Sequence, residues 1–136
     1  MADDETLSES FWAVTRGLRG RWRQTLAPWD IAPSQWRALT IVIQHGPMRL
    51  SELTEHLGIA ARSTTEVVDA LESRGMVERN QDPQDRRATI VSATASGAKA
   101  GAAIRKARDA ESEAYFGVLS EHDRAQLSRI LRTLQG

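Results

Sequence analysis

The chain has 136 residues, carries no cysteine, and has no formal net charge because 18 basic side chains balance 18 acidic ones. A length of this order suits one domain with a modest core, and a content of 40% hydrophobic and 26% charged residues is typical of a folded chain, neither disordered nor membrane-embedded. Without cysteine the chain has no disulfide, thiol sensor or cysteine-type zinc site, and zero net charge provides no bulk attraction to nucleic acid.

We expect neither a secretory signal nor a membrane-spanning helix in this sequence. The start MADDETLSES lacks the basic-then-apolar order of a secretory signal. No run approaches the ~18 consecutive apolar residues of a membrane-spanning helix. We therefore expect a cytoplasmic protein with no membrane partner.

The first predicted element is an amphipathic helix from about residue 7 to residue 26, within an N-terminal segment 1–30. Apolar residues recur there in steps of three or four, which is the spacing of one buried helix face. The acidic residues 1–6 are expected to fray. The recurring apolar residues are Leu7, Phe11, Val14, Leu18 and Trp22.

Two further helices are predicted before residue 60. Pro33 suits the first position of the second helix, because the N–H that proline lacks has no partner there. Gly46 ends that helix, Ser51 is the expected N-cap of a short third helix, and Gly58 ends the third. The expected inward residues are Trp36, Leu39, Thr40 and Ile43 in the second helix, and Leu53 and Leu57 in the third.

A fourth helix from about 61 to 74 is followed at once by a hairpin from about 76 to 92. The strands MVER and ATIVS flank the charged stretch NQDPQDRR, in which Asp82 followed by proline signals a turn. Two short helices joined by a glycine-containing turn also occur in the cores of many all-helical proteins. The hairpin behind them favours a winged helix-turn-helix lobe over 31–93. The inward residues of the fourth helix are Thr64, Val67, Val68 and Leu71.

The remaining segment, 94–136, predicts a long alanine-rich helix and a final amphipathic helix. The long helix begins at Thr94 or Ser96 and reaches about Leu119. Its small residues permit another helix to approach closely but weaken it as an isolated helix.

The final helix is predicted from its cap and its apolar stripe. Ser120 and Asp123 have the spacing of an N-cap residue and its N3 partner. The stripe, like that of the first helix, lies outside the winged-helix core and needs a partner surface, which favours a dimer. Packing of the two chain ends on each other within one chain is the alternative. The stripe consists of Leu127, Ile130, Leu131 and Leu134.

The stretch LSELTEHLGIAARSTTEVVDALESRGMVERNQDPQDRRATIVSATASG resembles the winged-helix core of the multiple-antibiotic-resistance regulator (MarR) family. Upstream, APSQWRALTIVIQHGP is similar to the second helix of that family, and LSEHDRAQLSRILRTL to the last. The most specific piece is DPQDRR followed by a strand and a Thr-x-x-Gly at Thr94 and Gly97. The resemblance implies a mainly α fold with a small β-hairpin, in which the hairpin is the wing of a winged helix-turn-helix. It also implies a homodimer that is held together by the N- and C-terminal helices.

The resemblance also assigns residues that would contact double-stranded operator DNA. Arginine suits a narrow minor groove because its flat, permanently charged guanidinium donates several hydrogen bonds, and Asp85 can hold Arg87 in place. A solvated turn with an incidental ion pair is the alternative. Many relatives carry a basic residue where Glu66 stands. The assigned residues are Arg62, Ser63, Thr65 and Glu66 in the recognition helix, and Asp85, Arg86 and Arg87 in the wing.

The predicted lobe is not a basic patch. Between Arg49 and Arg87 there are six arginines and eight acidic residues, so the acids must pair internally or face away from phosphate. A winged-helix module that binds protein and no longer binds DNA is therefore an alternative. No phosphate loop, nucleophile motif or carboxylate pair indicates an enzyme, and no histidine has a companion at metal-ligand spacing, so we expect no cofactor and no metal.

Four tryptophans lie within the first 36 residues, beside four arginines. Flat rings and a cation recognise aromatic or carboxylate compounds, and relatives commonly bind small aromatic acids between the dimer helices and the DNA-binding lobe, which releases DNA. These observations favour a repressor controlled by such an effector. Core or dimer contacts are the alternative role of the tryptophans. The candidate ligand-binding residues are Trp12, Arg16, Trp36 and His45.

Overall fold

The computed structural model describes residues 2–136, with side chains described from Thr6 onward. The predicted mainly helical fold is confirmed, with a small antiparallel sheet. Every helix in this range is too short or too polar to cross a lipid bilayer. The helices are α1 (Ala2–Leu26), α2 (Pro33–His45), α3 (Leu50–Leu57), α4 (Ala61–Ser73), α5 (Ala95–Phe116) and α6 (Glu121–Gln135), a 3-10 turn spans Ala27–Trp29, and the strands are β1 (Met48–Arg49), β2 (Val77–Gln81) and β3 (Thr89–Ala93).

Helix α1 begins at Ala2, so the expected fraying before residue 7 is wrong for residues 2–6, while Met1 lies outside the described residues. An acidic run suits the first turns of a helix, because negative charge is stabilised by the positive end of the helix dipole. The apolar periodicity begins only at Leu7, so this pattern alone predicts a helix that starts too late.

The core lies between α2, α3, α4 and the sheet. Leu39, Leu53 and Val68 are fully buried there, as predicted from helical spacing. Ile43 was expected to face inward but is 36% exposed, and Val42 is buried in its place. Ile43 packs against α5, where its Cδ1 methyl lies 2.6 Å from the position that a β-carbon would take at Gly101.

The sheet has three strands in the order β1-β3-β2, all antiparallel. The predicted hairpin is present, with Val77 opposite Ala93 and Gln81 opposite Thr89. Strand β1 was not predicted, because its two residues are too few to show a period. It adds an edge that joins the start of α3 to the hairpin.

The junction between β3 and α5 explains the Thr-x-x-Gly motif. The Thr94 side chain caps α5 by accepting a hydrogen bond from the Gly97 N–H at 2.9 Å, and its hydroxyl donates to the Gly75 carbonyl. A β-carbon at Gly97 would lie 1.8 Å from the Met76 carbonyl oxygen, so only glycine lets α5 leave the sheet at this point.

Other helix ends differ in detail from the prediction. The N-cap of α3 is Arg49, not Ser51, because the Glu52 side chain accepts the Arg49 N–H at 3.3 Å. The predicted cap of α6 is confirmed, since the Ser120 hydroxyl oxygen accepts the Asp123 N–H at 3.1 Å. Helix α5 ends at Phe116, three residues before the expected position.

The terminal helices leave apolar faces open to solvent. Helix α1 lies along α5, and α6 contains no buried residue. The apolar faces of α1 and α6 therefore do not cover each other in the way that the single-chain alternative required. The exposed fractions are 68% for Leu7, 46% for Phe11 and 71% for Leu134. These faces lack a partner within the described chain. The large exposed apolar residues of α1, α6 and the turn before α6 are Leu7, Phe11, Trp12, Val14, Val118, Ile130 and Leu134.

Candidate nucleic-acid interface

Helix α4 has one buried and one exposed face. The buried face packs into the core, and Gly58 at φ +65° forms the left-handed turn that reverses the chain between α3 and α4. On the opposite face the side chains of Arg62 and Glu66 are 93% and 72% exposed. Ser63 is exposed, whereas Thr65 is half-buried and its hydroxyl donates to the Ala61 carbonyl at 3.1 Å.

The tip of the β2–β3 hairpin is ordered by Asp85. Its Oδ1 accepts hydrogen bonds from the Arg87 N–H at 3.1 Å and from Arg87 Nε at 3.4 Å, and its carbonyl accepts the Ala88 N–H at 2.9 Å. The Arg87 side chain is nonetheless 94% exposed, and Arg86 is exposed beside it. The tip therefore presents two guanidinium groups to solvent from a turn of fixed shape.

A second contact, which the sequence did not predict, fixes the base of the wing. Asp82 is 8% exposed, and its carboxylate accepts the Gln84 N–H at 2.9 Å and Arg49 Nε at 3.0 Å. The Gln84 N–H, together with the Arg49 guanidinium, holds the pKa of Asp82 below its ordinary value although burial opposes this. Asp82 had been interpreted only as a turn residue, and no local pattern indicates a partner so distant along the chain.

The Arg79 cluster, formed by Arg79, Asp69 and Glu72, ties strand β2 to helix α4. The Arg79 guanidinium pairs with Asp69 and, at 3.2 Å, with Glu72, while the Arg79 N–H donates to Glu72 at 3.1 Å. Hydrogen bonds to Asp69 and then Glu72 raise the pKa of Arg79. Two of the acids that made the lobe unlike a basic patch are therefore paired inside it.

Comparison with known proteins places the chain in a family. A sequence model described as the MarR family matches residues 31–89. The HTH-type transcriptional regulator YhbI of Bacillus subtilis is 31% identical over 111 residues, which cover 82% of this chain and 70% of that protein. The chain belongs to the MarR family.

Other relatives agree with this MarR-family membership. The HTH-type transcriptional repressor MdtR of B. subtilis is 23% identical over 134 residues, covering 96% of this chain and 86% of MdtR. Matches to two more regulators of that organism, YfiV and YcgE, span only 44% and 38% of those proteins. The family and these relatives are transcription regulators, which agrees with the prediction that the chain is not an enzyme.

Solved structures show the same fold. The YusO protein of B. subtilis matches with a TM-score of 0.86 at 23% identity, over 99% of this chain and 97% of that one. A mutant MarR from E. coli, complexed with operator DNA, matches with a TM-score of 0.76 at 23% identity, over 96% and 94% of the two chains. The predicted winged helix-turn-helix architecture is confirmed.

The four candidate ligand residues of this MarR-family chain lie in three different surroundings. Trp36 is 6% exposed and packs edge-to-face on Trp22, with 5.9 Å between ring centroids. Trp12 and Arg16 line a shallow groove on α1, and His45 stands at the exposed end of α2. The expectation that they share one pocket does not fit this arrangement, because Trp36 belongs to the core.

Two histidines come together in the folded chain. His45 and His56 are eleven residues apart and have no companion at metal-ligand spacing in the sequence, but their rings lie 4.6 Å apart between centroids. They meet because the C-terminal ends of α2 and α3 are adjacent, which the sequence spacing does not reveal. Among the side chains described from Thr6 onward, no group of three or more histidine or acidic residues is arranged to hold a metal ion.

A cavity of about 260 Å³ between α1 and α5 is better suited to a small ligand. The Arg108 guanidinium lies 5.1 Å from the centre of the Trp22 ring, at cation–π distance. Arg21 pairs with Glu111 at 2.5 Å on the same surface. Sequence analysis noted Trp22 but did not find Arg108, since the two residues meet only when α1 and α5 pack. The cavity is lined by Leu18, Arg19, Arg21, Trp22, Arg108, Glu111, Ser112 and Phe116.

Proposed function

We propose that this chain is a homodimeric, sequence-specific DNA-binding transcription regulator. Helix α4 of each copy enters a major groove, and the wing tip reaches the adjacent minor groove. The observation that carries the proposal is the exposed polar face of α4 beside a hairpin whose Arg87 is held outward by Asp85. The operator complex of the similarly folded E. coli MarR supports it.

The pairing of acids supports DNA over protein as the partner. The protein-binding alternative rested on an excess of acids around α4. Asp69 and Glu72 share the Arg79 guanidinium, and Asp82 pairs with Arg49, so two of these three negative charges are balanced within the lobe and all three carboxylates already have a partner. The positive groups that remain most open on the proposed surface are Arg62, Arg86 and Arg87.

A homodimer would cover the exposed faces of α1 and α6. An obligate dimer commonly buries about 2,000 Å² or more, and its interface is apolar. Two-fold symmetry would then place the two α4 helices about one DNA turn apart, roughly 34 Å, on a pseudo-palindromic operator. Leu134 and Leu7 are the most exposed leucines on these faces and are central to the proposed interface.

Repression is the mode of regulation that the relatives favour, since MdtR is named as a repressor. A dimer that occupies a promoter in the cytoplasm excludes polymerase from the same DNA. A repressor must release its operator on a signal, and a small aromatic carboxylate is the class of effector that the cavity between α1 and α5 fits.

The cavity suits such an effector because Arg108 and Arg19 can pair with a carboxylate while Trp22 and Phe116 contact a ring. Helix α5 leaves the lobe at Thr94, so a ligand that shifts α5 changes how the lobe is held. It acts only if it binds the free and DNA-bound states unequally. Addition of benzoate to a preformed complex is expected to release DNA, and Arg108→Ala to abolish that release without changing affinity in its absence.

The proposed function is tested by fluorescence anisotropy with duplexes from the promoter region of the chain's own gene, at fixed salt and with excess random competitor DNA. We expect a complex that survives the competitor, because base contacts add specificity to phosphate contacts. If the competitor DNA removes all of the binding, or if no binding is seen, sequence-specific recognition would be contradicted and the protein-binding module favoured.

A further inference from the structure

We propose that Glu66 reads a cytosine in the operator, while Arg62, one helical turn earlier, reads a guanine close to it. The proposal rests on the proposed DNA-binding function and adds the base identity recognised by this part of α4.

The contact between Arg62 and Glu66 is too weak to be their main role. Arg62 Nε lies 4.0 Å from Glu66 Oε1, and the two side chains are 93% and 72% exposed. Exposed pairs one turn apart contribute little to a helix, and arginine placed before glutamate is the less favourable order. Each side chain is therefore free to exchange this contact for a base.

Glu66 differs from the other two acids of α4, a helix that lies wholly within the described residues. Asp69 and Glu72 are both bound by Arg79. Glu66 projects from the exposed face, beside Arg62 and one turn beyond Ser63. A carboxylate in that position enters the groove together with α4. There the phosphates repel it and it loses hydration, so a hydrogen bond from a base is needed to offset this cost.

The chemistry of the major groove selects cytosine for this carboxylate. Guanine presents two acceptors, N7 and O6, and thymine presents the O4 acceptor and a methyl group. Adenine presents a donor beside an acceptor, whereas cytosine presents the N4 donor with no acceptor on the same base. An ionised carboxylate only accepts hydrogen bonds, so Glu66 fits cytosine best.

Arg62 has the opposite requirement, because a guanidinium only donates hydrogen bonds and matches guanine O6 and N7. One helical turn advances about 5.4 Å, and stacked base pairs are about 3.4 Å apart. The two bases are therefore expected within about two base pairs of each other. The guanidinium next to Glu66 also reduces the repulsion of its carboxylate by phosphate.

The experiment is a binding selection from a random duplex library with the purified full chain. Wild type is expected to enrich half-sites with a fixed cytosine and a guanine within about two base pairs. Glu66→Gln should change that cytosine to adenine, because the glutamine amide both donates and accepts, and should weaken binding to the wild-type site about 5- to 150-fold. Arg62→Ala should lose the guanine preference and keep the cytosine.

Glu55→Gln is the matched control, because it removes one exposed negative charge from α3 and leaves α4 unchanged. It should keep the wild-type base profile. Unfolding midpoints within about a degree of wild type would show that the variants fold, as expected for exposed positions. The inference would be overturned if the selected sites held no cytosine that changes in Glu66→Gln. It would also be overturned if Glu66→Gln bound every duplex more tightly by the same factor. Either result would leave DNA binding intact. Enrichment of no sequence by wild type would overturn the proposed function as well.

Discussion

The winged-helix lobe and the terminal helices satisfy their apolar residues in different ways. In the lobe, Leu39, Leu53 and Val91 are fully buried by contacts within the chain. In α6 no residue is buried, and at the start of α1 Leu7 remains 68% exposed. The apolar residues of the lobe are covered within the chain, in part by Leu26 of α1 and Ile104 of α5, whereas the exposed apolar faces of α1 and α6 have no cover within the described residues. Folding of the lobe and association of the chains should therefore respond to different substitutions.

The largest effect on the lobe is expected at its junction with α5. In Gly97→Ala the new β-carbon would lie 1.8 Å from the Met76 carbonyl oxygen, so backbone must move. We expect the free energy of unfolding, measured in urea, to fall by more than about 3 kcal/mol.

Gly20→Ala is the control for this substitution, because a β-carbon at Gly20 of α1 meets no atom within 4 Å. That variant should be unchanged or more stable by about 0.5–1 kcal/mol, since alanine favours helix over glycine. Similar unfolding curves for the two variants would refute the close approach at Gly97.

Association should be broken by Leu134→Glu without loss of the lobe. Leu134 is 71% exposed in the single chain, so the variant should fold, but burying a carboxylate in an apolar interface is strongly unfavourable. Sedimentation equilibrium should show monomers, and far-ultraviolet circular dichroism should show the helix content of wild type. Gln135→Glu adds the same charge at the adjacent exposed position and should leave the dimer intact; equal behaviour of the two would contradict the interface at α6.

DNA binding should be weakened by Arg87→Ala without change in folding or association. The side chain is 94% exposed, so the loss is confined to its contact with DNA, about 1–3 kcal/mol of binding free energy. Anisotropy titrations at fixed salt measure it. Arg105→Ala removes an exposed arginine from α5 and should have a smaller effect. Unchanged affinity of Arg87→Ala would argue against the wing as a DNA contact.

The smallest effect is expected from the anchor of the wing and depends on pH. The pKa of Asp82 is lowered in the folded state, so its stabilisation is complete above the unfolded pKa of about 3.9 and is lost as pH falls through the folded value. Asp82→Asn should therefore unfold at lower temperature than wild type near pH 7, and the difference should shrink as the pH falls below the unfolded pKa and through the lowered folded pKa. If the difference in unfolding temperature between Asp82→Asn and wild type grew toward acid pH, the stabilising role of the Asp82 carboxylate would be contradicted.

Much of the fold follows from local pattern. The helical spacing of Leu53, Leu57, Val68 and Leu71 predicted the inward faces of α3 and α4, and the turn at Asp82 located the hairpin. Strand β1 was missed because two residues carry no period. The cap of α3 was misplaced because serine was favoured by residue type.

The candidate site was predicted only where its partners are close in sequence. Asp85 and Arg87 are two residues apart, and their contact was expected. The pairs of Asp82 with Arg49 and of Trp22 with Arg108 join distant segments, so packing of the elements creates them and no local pattern reveals them.

The central claim is that two copies of the lobe are held together by the terminal helices so that both contact one duplex. The most direct measurement is the mass of the protein alone and of its complex with a selected operator, by sedimentation or native mass spectrometry. We predict two chains in the free protein and two chains per duplex. The claim would be contradicted if the wild-type protein were a monomer that binds the operator as a single chain, and if its affinity for the operator equalled that of Leu134→Glu.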